Sequence, residues 1–176
     1  MLKTIGLVVV AALAALLLFA ATRPDTFEVQ RSASIAAPAD KIYPLINDMR
    51  QFNTWNPYNQ KDPNMQGTYR GPGAGPGAVF EFQGNKDVGK GSISIVDTAA
   101  PAKVTMKLDM IEPFEGHNMV EFRLAPKGNA TEVTWAMRGP SPYVAKLAGI
   151  FFNMDKMIGR DFETGLQNLK TRAERS

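Results

Sequence analysis

Gly71-Pro-Gly-Ala-Gly-Pro-Gly-Ala78 runs directly into Val79-Phe-Glu-Phe-Gln83, and what that junction forms decides the fold class. Within it, Gly73-x-Gly75-x-x-Ala78 matches the relaxed dinucleotide-binding fingerprint. That fingerprint works where a strand feeds the loop and a helix leaves it, so that a pyrophosphate meets the helix N-terminus. Here the alternating residues from Ala78 to Gln83 leave the loop as a strand. Pro72 and Pro76 also remove two of the backbone N–H donors that a phosphate cradle needs. A second cluster, Gly84-Asn-Lys-Asp-Val-Gly89-Lys90-Gly91, lies one residue away from a P-loop. Gly91 replaces the metal-binding hydroxyl, and Ser92-Ile-Ser-Ile-Val96 again continues as a strand. Both stretches read as hairpin connections in which glycine supplies positive φ. No nucleotide is expected at either, and the sheet they join is antiparallel rather than doubly wound.

Outward from this centre the chain meanders. Strands are predicted over Met65–Arg70, Ala78–Gln83, Ser92–Asp97, Lys103–Ile111, Met119–Leu124 and Thr131–Arg138, most with period-two alternation. One face collects Phe80, Phe82, Ile93, Val104, Met106, Leu108, Met110, Phe122 and Trp135. The other collects Ser92, Ser94, Lys107, Asp109, Glu121 and Arg123, as in an antiparallel sheet with one dry and one wet side. Before the meander, Phe27–Ile35 alternates as a first strand. A helix then starts at Ala37-Pro-Ala-Asp40, with Pro44 expected to kink or end it, and a second short helix covers Arg50–Asn56. After Pro140-Ser-Pro142, one long helix is predicted from Tyr143 to Arg172. Its apolar stripe is Leu147, Phe151, Met154, Ile158, Phe162, Leu166 and Leu169. Gly149, Gly159 and Gly165 interrupt it, either as ordinary packing glycines or for close approach to the sheet or a ligand.

The 176 residues suffice for one domain with a sizeable core. The net charge of +3 shrinks when Lys3 and Arg23, which flank an apolar N-terminal segment, are set aside; 18 basic then face 17 acidic residues. That is no footprint for nucleic acid. The absence of cysteine excludes disulfides, thiol nucleophiles and cysteine zinc sites. Residues 5–21 carry no charge and are long enough, at 17, to be a membrane anchor, against about 7–15 for the apolar core of a cleaved signal. Residues 1–24 are therefore read as an anchor or signal segment and 25–176 as the folded domain, expected outside the cytoplasm, and secreted or periplasmic if the segment is cleaved.

Chemistry-bearing residues are sparse. His117 is the single histidine, so a metal site would be nearly all carboxylate, no EF-hand spacing exists, and no metal or other cofactor is expected. Asp109, Glu112 and His117 are the weak candidates for acid–base work if they face a cavity; solvated charge at a strand end explains them as well. Met106, Met110, Met137, Met154 and Met157 lie among Phe80, Phe82, Phe122, Trp135, Phe151 and Phe162, which suits an adaptable apolar pocket or an ordinary core.

The order of strand, two short helices, six strands and long helix resembles the helix-grip fold of the START-like (SRPBCC) superfamily, especially its polyketide cyclase/dehydrase and lipid-transport branch. Ser34-Ile-Ala-Ala-Pro-Ala-Asp-Lys-Ile42, Phe52-Asn-Thr-Trp-Asn-Pro57, Gly89-Lys-Gly-Ser-Ile93, Pro113-Phe-Glu-Gly116, Gly128-Asn-Ala-Thr-Glu-Val-Thr-Trp135 and Met154-Asp-Lys-Met-Ile158 with Gly165-Leu-Gln-Asn-Leu-Lys170 carry the likeness. The resemblance implies an α+β fold, a curved sheet of about seven strands around the C-terminal helix, with an apolar cavity between them. Its lining would come from Trp55, Phe80, Phe82, Met106 and Met110, together with Phe122, Trp135, Phe151, Met154 and Ile158. It implies a membrane-anchored binding domain for a hydrophobic small molecule or lipid. A cyclase or dehydratase using Asp109, Glu112 or His117 is the alternative, and a protein-interaction module of the chaperone-activator kind a further one. On this reading the Gly71–Ala78 loop would lie at the cavity rim as a gate.

Overall fold

The structure is a computed structural model that describes residues 2–175. Helix α1 (Leu2–Ala21) is joined by four residues to strand β1 (Thr26–Ile35). Three short helices follow: α2 (Ala39–Asn47), α3 (Met49–Trp55) and α4 (Pro57–Lys61). The meander comprises β2 (Gln66–Arg70), β3 (Val79–Gln83), β4 (Lys90–Ala99), β5 (Lys103–Glu112), β6 (Gly116–Lys127) and β7 (Ala130–Pro140). Helices α5 (Tyr143–Phe151) and α6 (Met154–Arg175) end the chain.

All seven strands form one antiparallel sheet in the order β1-β7-β6-β5-β4-β3-β2. The first strand thus closes against the last, and α6 crosses the face that carries the alternating apolar residues. The α+β helix-grip architecture read from the sequence is the architecture observed. Burial follows the alternation: Val104 and Met106 on β5, Val120, Phe122 and Leu124 on β6, and Val133, Trp135 and Met137 on β7 are all buried. Each such side chain stabilises the fold by about 1.5–3 kcal/mol through area removed from water.

The short helices follow expectation at Pro44 and differ from it in number. Pro44 does sit inside α2, which stops three residues later at Asn47. Three short helices occur rather than two, because Asn56 caps a new one: its side chain accepts from the Tyr58 N–H, and Pro57 occupies the first turn. Proline there lacks only an N–H that has no partner in a first turn. Asp48 caps α3 in the same manner, accepting from the Arg50 and Gln51 N–H groups.

The predicted long helix is two helices. It breaks at Phe152-Asn153, where the Asn153 side chain accepts from the Lys156 N–H and starts α6. The break turns α5 away from the sheet toward α1: Tyr143 Oη donates to the Leu17 carbonyl at 2.8 Å, and Lys146 pairs with Asp25. Phe162, Leu166 and Leu169 are buried as predicted, whereas Phe151 and Met154 are exposed. A stripe of constant spacing cannot reveal this, because apolar periodicity continues across the break.

The Gly71–Ala78 loop is a hairpin connection between β2 and β3, with Gly71, Gly75 and Gly77 at positive φ. Gly71 admits no side chain, since a Cβ there would meet the Gly77 carbonyl oxygen. The loop is fastened to the α2–α3 junction: Met49 N–H donates to the Gly73 carbonyl and Gly75 N–H to the Asn47 carbonyl, at 3.1 and 3.0 Å. The second glycine cluster closes the β3–β4 hairpin, where the Asn85 side chain accepts from the Asp87 and Val88 N–H groups. Strands enter and leave both.

Candidate functional site

The interior between sheet and α6 has two unlike halves. One lies under the short helices, near the β2–β3, β4–β5 and β6–β7 turns. Ile42, Ile46, Met49, Phe52 and Trp55 descend from α2 and α3 onto Ile95, Val104 and Leu124, and all are buried. Thr131 is the buried polar residue of this half, its hydroxyl donating to the Ala37 carbonyl at 2.7 Å. We call this the closed end.

Across the middle runs an aromatic cluster. Trp135 stacks on Phe162 with centroids 4.2 Å apart, and Phe122 lies 4.9 Å from Trp135. Trp55 meets Trp135 edge-on at 5.8 Å and Phe52 at 5.0 Å. Pairs of this geometry add about 0.5–1.5 kcal/mol each beyond burial. Close approach of α6 makes room for them: a Cβ on Gly165 would fall within 2.6 Å of the Trp135 ring and 2.9 Å of Pro57. Trp55 Nε1 donates to the Leu45 carbonyl at 2.7 Å. Trp135 Nε1 is buried with no hydrogen-bond partner among the described residues, a state that costs about 1–3 kcal/mol.

Beyond the cluster, toward the β3–β4 and β5–β6 turns, burial loosens. Phe82, Leu108, Met110 and Ile158 are half-buried apolar side chains, and Met65 joins them from the residue before β2. This is the open end. It is also where α1 feeds β1 and where β7 leads into α5.

Two charged contacts flank the α6 segment over this end. Arg31, on the inner face of β1 opposite Trp135, donates to Glu163 at 2.9 Å and to Asp155 at 2.9 Å. Those two carboxylates push the guanidinium pKa up further, and Arg31 in turn holds the Asp155 carboxyl below its usual range. Gly159 passes directly over that guanidinium, where a Cβ would overlap it. On the other flank Lys61 pairs with Asp161 at 2.7 Å. Burial, then the nearby Asp161 charge and hydrogen bond, push the Tyr58 hydroxyl pKa well up. Tyr58 is therefore a neutral phenol at any physiological pH.

The ten residues expected to line a ligand divide by position. Met106, Phe80, Trp55, Phe122 and Trp135 are buried parts of the packed interior. Phe82, Met110 and Ile158 form the half-buried wall at the open end. Phe151 and Met154 lie outside the grip, lining instead a groove of about 560 Å³ between α5 and the α1–β1 connection, with Arg23, Phe27 and Lys146. Of the methionines, Met106 and Met137 are buried, while Met154 and Met157 are exposed. A larger groove of about 830 Å³ runs between α2–α3 and the C-terminal half of α6, past Pro44, Gln51, Trp55, Asn168 and Arg172. The sequence carries no signal for it, because its walls come from four helices, α2, α3, α4 and α6, with no shared motif.

The acid–base candidates do not converge on the interior. Asp109 and His117 are opposed on neighbouring strands, and Asp109 Oδ1 lies 2.5 Å from His117 Nδ1. They share the wet outer face with Lys107, 3.0 Å from Asp109, opposite the face covered by α6. Burial pushes the Asp109 carboxyl up, but hydrogen bonds from His117 and Lys107, with their charges, more than offset it and leave the pKa lowered. Glu112 is exposed at the end of β5. Among the described residues no group of His, Asp and Glu is placed to hold a metal ion.

No curated protein matches the sequence. Solved structures share the fold at low identity. Ginseng major latex-like protein 151 from Panax ginseng superposes with a TM-score of 0.61 at 13% identity, covering 85% of this chain and 99% of that one. Protein CV1439 from Chromobacterium violaceum gives 0.60 at 14%, covering 86% and 99%. The Aha1 dimer from Colwellia psychrerythraea gives 0.57 at 17%, covering 84% and 96%. The sequence itself matches the family described as polyketide cyclase / dehydrase and lipid transport over residues 26–174, from the first strand almost to the end of the last helix. The chain belongs to that family.

Proposed function

We propose that the protein binds a hydrophobic small molecule or lipid at the open end of the grip, between the ends of β3 and β5 and the first turns of α6, and is held at a membrane by α1. The observation that carries this is the set of half-buried apolar side chains, Phe82, Leu108, Met110 and Ile158, gathered at one end of the interior beyond the buried aromatic cluster. Such a wall is what an apolar ligand covers, and removing it from water is worth about 25 cal/mol per Å². Helix α1 supplies the location: residues Lys3–Ala21 form a helix long and apolar enough, at mean hydropathy 2.7, to cross a membrane. The fitting ligand is largely apolar and carries at most a few polar groups. An acceptor reaching Trp135 Nε1 would satisfy the unpartnered donor.

The test is photo-crosslinking of the full chain, reconstituted in phospholipid nanodiscs, with a diazirine-bearing fatty acid and peptide-level mapping. Labelling of peptides containing Phe82, Met110 or Ile158, lost in Met110→Asp, is expected. Labelling confined to α1 would count against ligand binding. It would favour the protein-interaction reading, which the aromatic filling of the middle of the interior supports. The placement of Asp109 and His117 on the outer face leaves the cyclase or dehydratase reading without an acid–base pair in the interior.

A further inference from the structure

We infer that the open end of the domain is seated in the headgroup–acyl boundary of the bilayer that α1 spans, so that the apolar interior opens onto lipid rather than onto water. The inference rests on the reading of α1 as an anchor; it does not depend on which ligand binds.

The first observation is where the exposed apolar side chains lie. On α5 and the turn into α6, Val144 is 74% exposed, Phe151 69%, Phe152 61% and Met157 57%. None of the nine residues of α5 is buried. At the tip of the β5–β6 turn Phe114 is 82% exposed, and Ile111 beside it 60%. Large apolar groups gathered in this way mark a contact surface on a soluble domain. The opposite end provides the control. Its three hairpin connections, 71–78, 100–102 and 128–129, carry no exposed large apolar side chain among the described residues.

The second observation says what covers this surface. The sheet register places the β5–β6 turn, the start of β1 and the end of β7 at one end: Met110 opposes Gly116, and Thr26 opposes Pro140. Helix α1 arrives at that end and is fastened to α5 by the Tyr143–Leu17 hydrogen bond and the Lys146–Asp25 pair. The exposed apolar side chains therefore lie at the same end of the sheet as the end of a helix of bilayer-spanning length. A helix lying in the interface buries its apolar face about 5–10 Å into the headgroup–acyl boundary. The charged neighbours suit that height, since Lys156, Glu112 and Glu115 are all exposed and can stay among headgroups while Phe114 and Phe152 enter. The interior behind this rim is the half-buried one, so a lipid chain could pass from bilayer to grip without crossing water.

The absence of cysteine permits a direct test in the full chain. Single variants Phe114→Cys, Phe152→Cys, Leu13→Cys and Asn129→Cys carry an environment-sensitive nitrobenzoxadiazole probe, in phosphatidylcholine vesicles containing nitroxide-labelled lipid. Quenching at 114 and 152 by shallow nitroxides, at least about twofold greater than at 129, is expected, with the probe at 13 quenched by deep ones. If 13 is quenched while 114 and 152 behave as 129 does, the anchor stands and the seating is overturned. Probes at 114 and 152 that are dry yet unquenched by lipid mean that protein covers the surface, which also overturns it. No lipid quenching at 13 removes the anchor and the seating together.

Discussion

The two ends of the sheet are built on the same alternation, yet one is sealed and the other is not. At the closed end, α2 and α3 lay Ile42, Ile46, Phe52 and Trp55 over Ile95, Val104 and Leu124, and the glycine-rich β2–β3 loop is hydrogen-bonded to the junction of those helices. At the open end the C-terminus of α4 meets the β3–β4 turn, where Asn85 donates to the Lys61 carbonyl, while Phe82, Leu108 and Met110 stay half-buried and α5 has swung toward α1. Identical patterning on a strand thus yields a core where a second layer covers it and a wall where the cover is incomplete. What differs between the ends is the covering, and function is expected where it is incomplete.

The largest test of that contrast is in the cluster. Phe122→Ala should lower stability by about 3–5 kcal/mol, since it empties a fully enclosed site. Chemical denaturation followed by tryptophan fluorescence reads this directly. Phe82→Ala, at the half-buried wall, should cost under about 2 kcal/mol, while reducing crosslinking of the fatty-acid probe severalfold. Equal stability losses at the two positions would break the distinction between the ends.

A pair of glycine substitutions sharpens it further. Gly165→Ala drives a methyl into Trp135 and Pro57, an overpacking cost of about 1–3 kcal/mol set against a helix-propensity gain of about 1 kcal/mol. Net destabilisation is expected. Gly149→Ala in α5 meets nothing within 4 Å, so it should stabilise by up to about 1 kcal/mol. The glycines in this region are therefore not equivalent: two allow close approach and one sits in the open.

The smallest effect belongs to the outer face. The Asp109 carboxyl has a lowered pKa in the folded state. It therefore adds stability above its unfolded-state value, near 3.9, and loses it as pH falls through the lower folded value. Asp109→Asn should cost less than about 1 kcal/mol, as for partly exposed ion pairs. Melting temperatures of the two proteins should differ at pH 7 and converge as the pH falls below about 3.9. Lipid crosslinking should not change. A large loss of crosslinking in this variant would return Asp109 to the functional site.

Much of this was legible in the residues because strands report burial through period two. Phe80, Met106, Phe122 and Trp135 fall where alternation places them, and proline and glycine fix the hairpins on either side of Val79–Gln83. The break between α5 and α6 was not legible. Leu147, Phe151, Met154 and Ile158 keep helical spacing through it, and the signal for a stop is one asparagine that caps the next helix. Helical spacing alone therefore places Phe151 and Met154 on the interior stripe, although they face outward. The sequence reading puts the Gly71–Ala78 loop at a cavity rim. Its composition specifies a reversal, but not which end of the sheet that reversal occupies, and it lies at the closed end. Likewise Asp109 and His117 are near in sequence to the interior wall, but odd and even positions of β5 face opposite ways.

Four residues, Thr22 to Asp25, separate the last residue of α1 from the first of β1. Fully extended, such a connection reaches about 14 Å, less than half the thickness of one bilayer. If α1 is embedded as proposed, the domain would work on a short leash: a molecule taken from its own leaflet would be held there and not carried across an aqueous gap to a second membrane. Ferrying would need the leash cut or a mobile partner to receive the cargo, so the anchored form is suited to act as a local holding station.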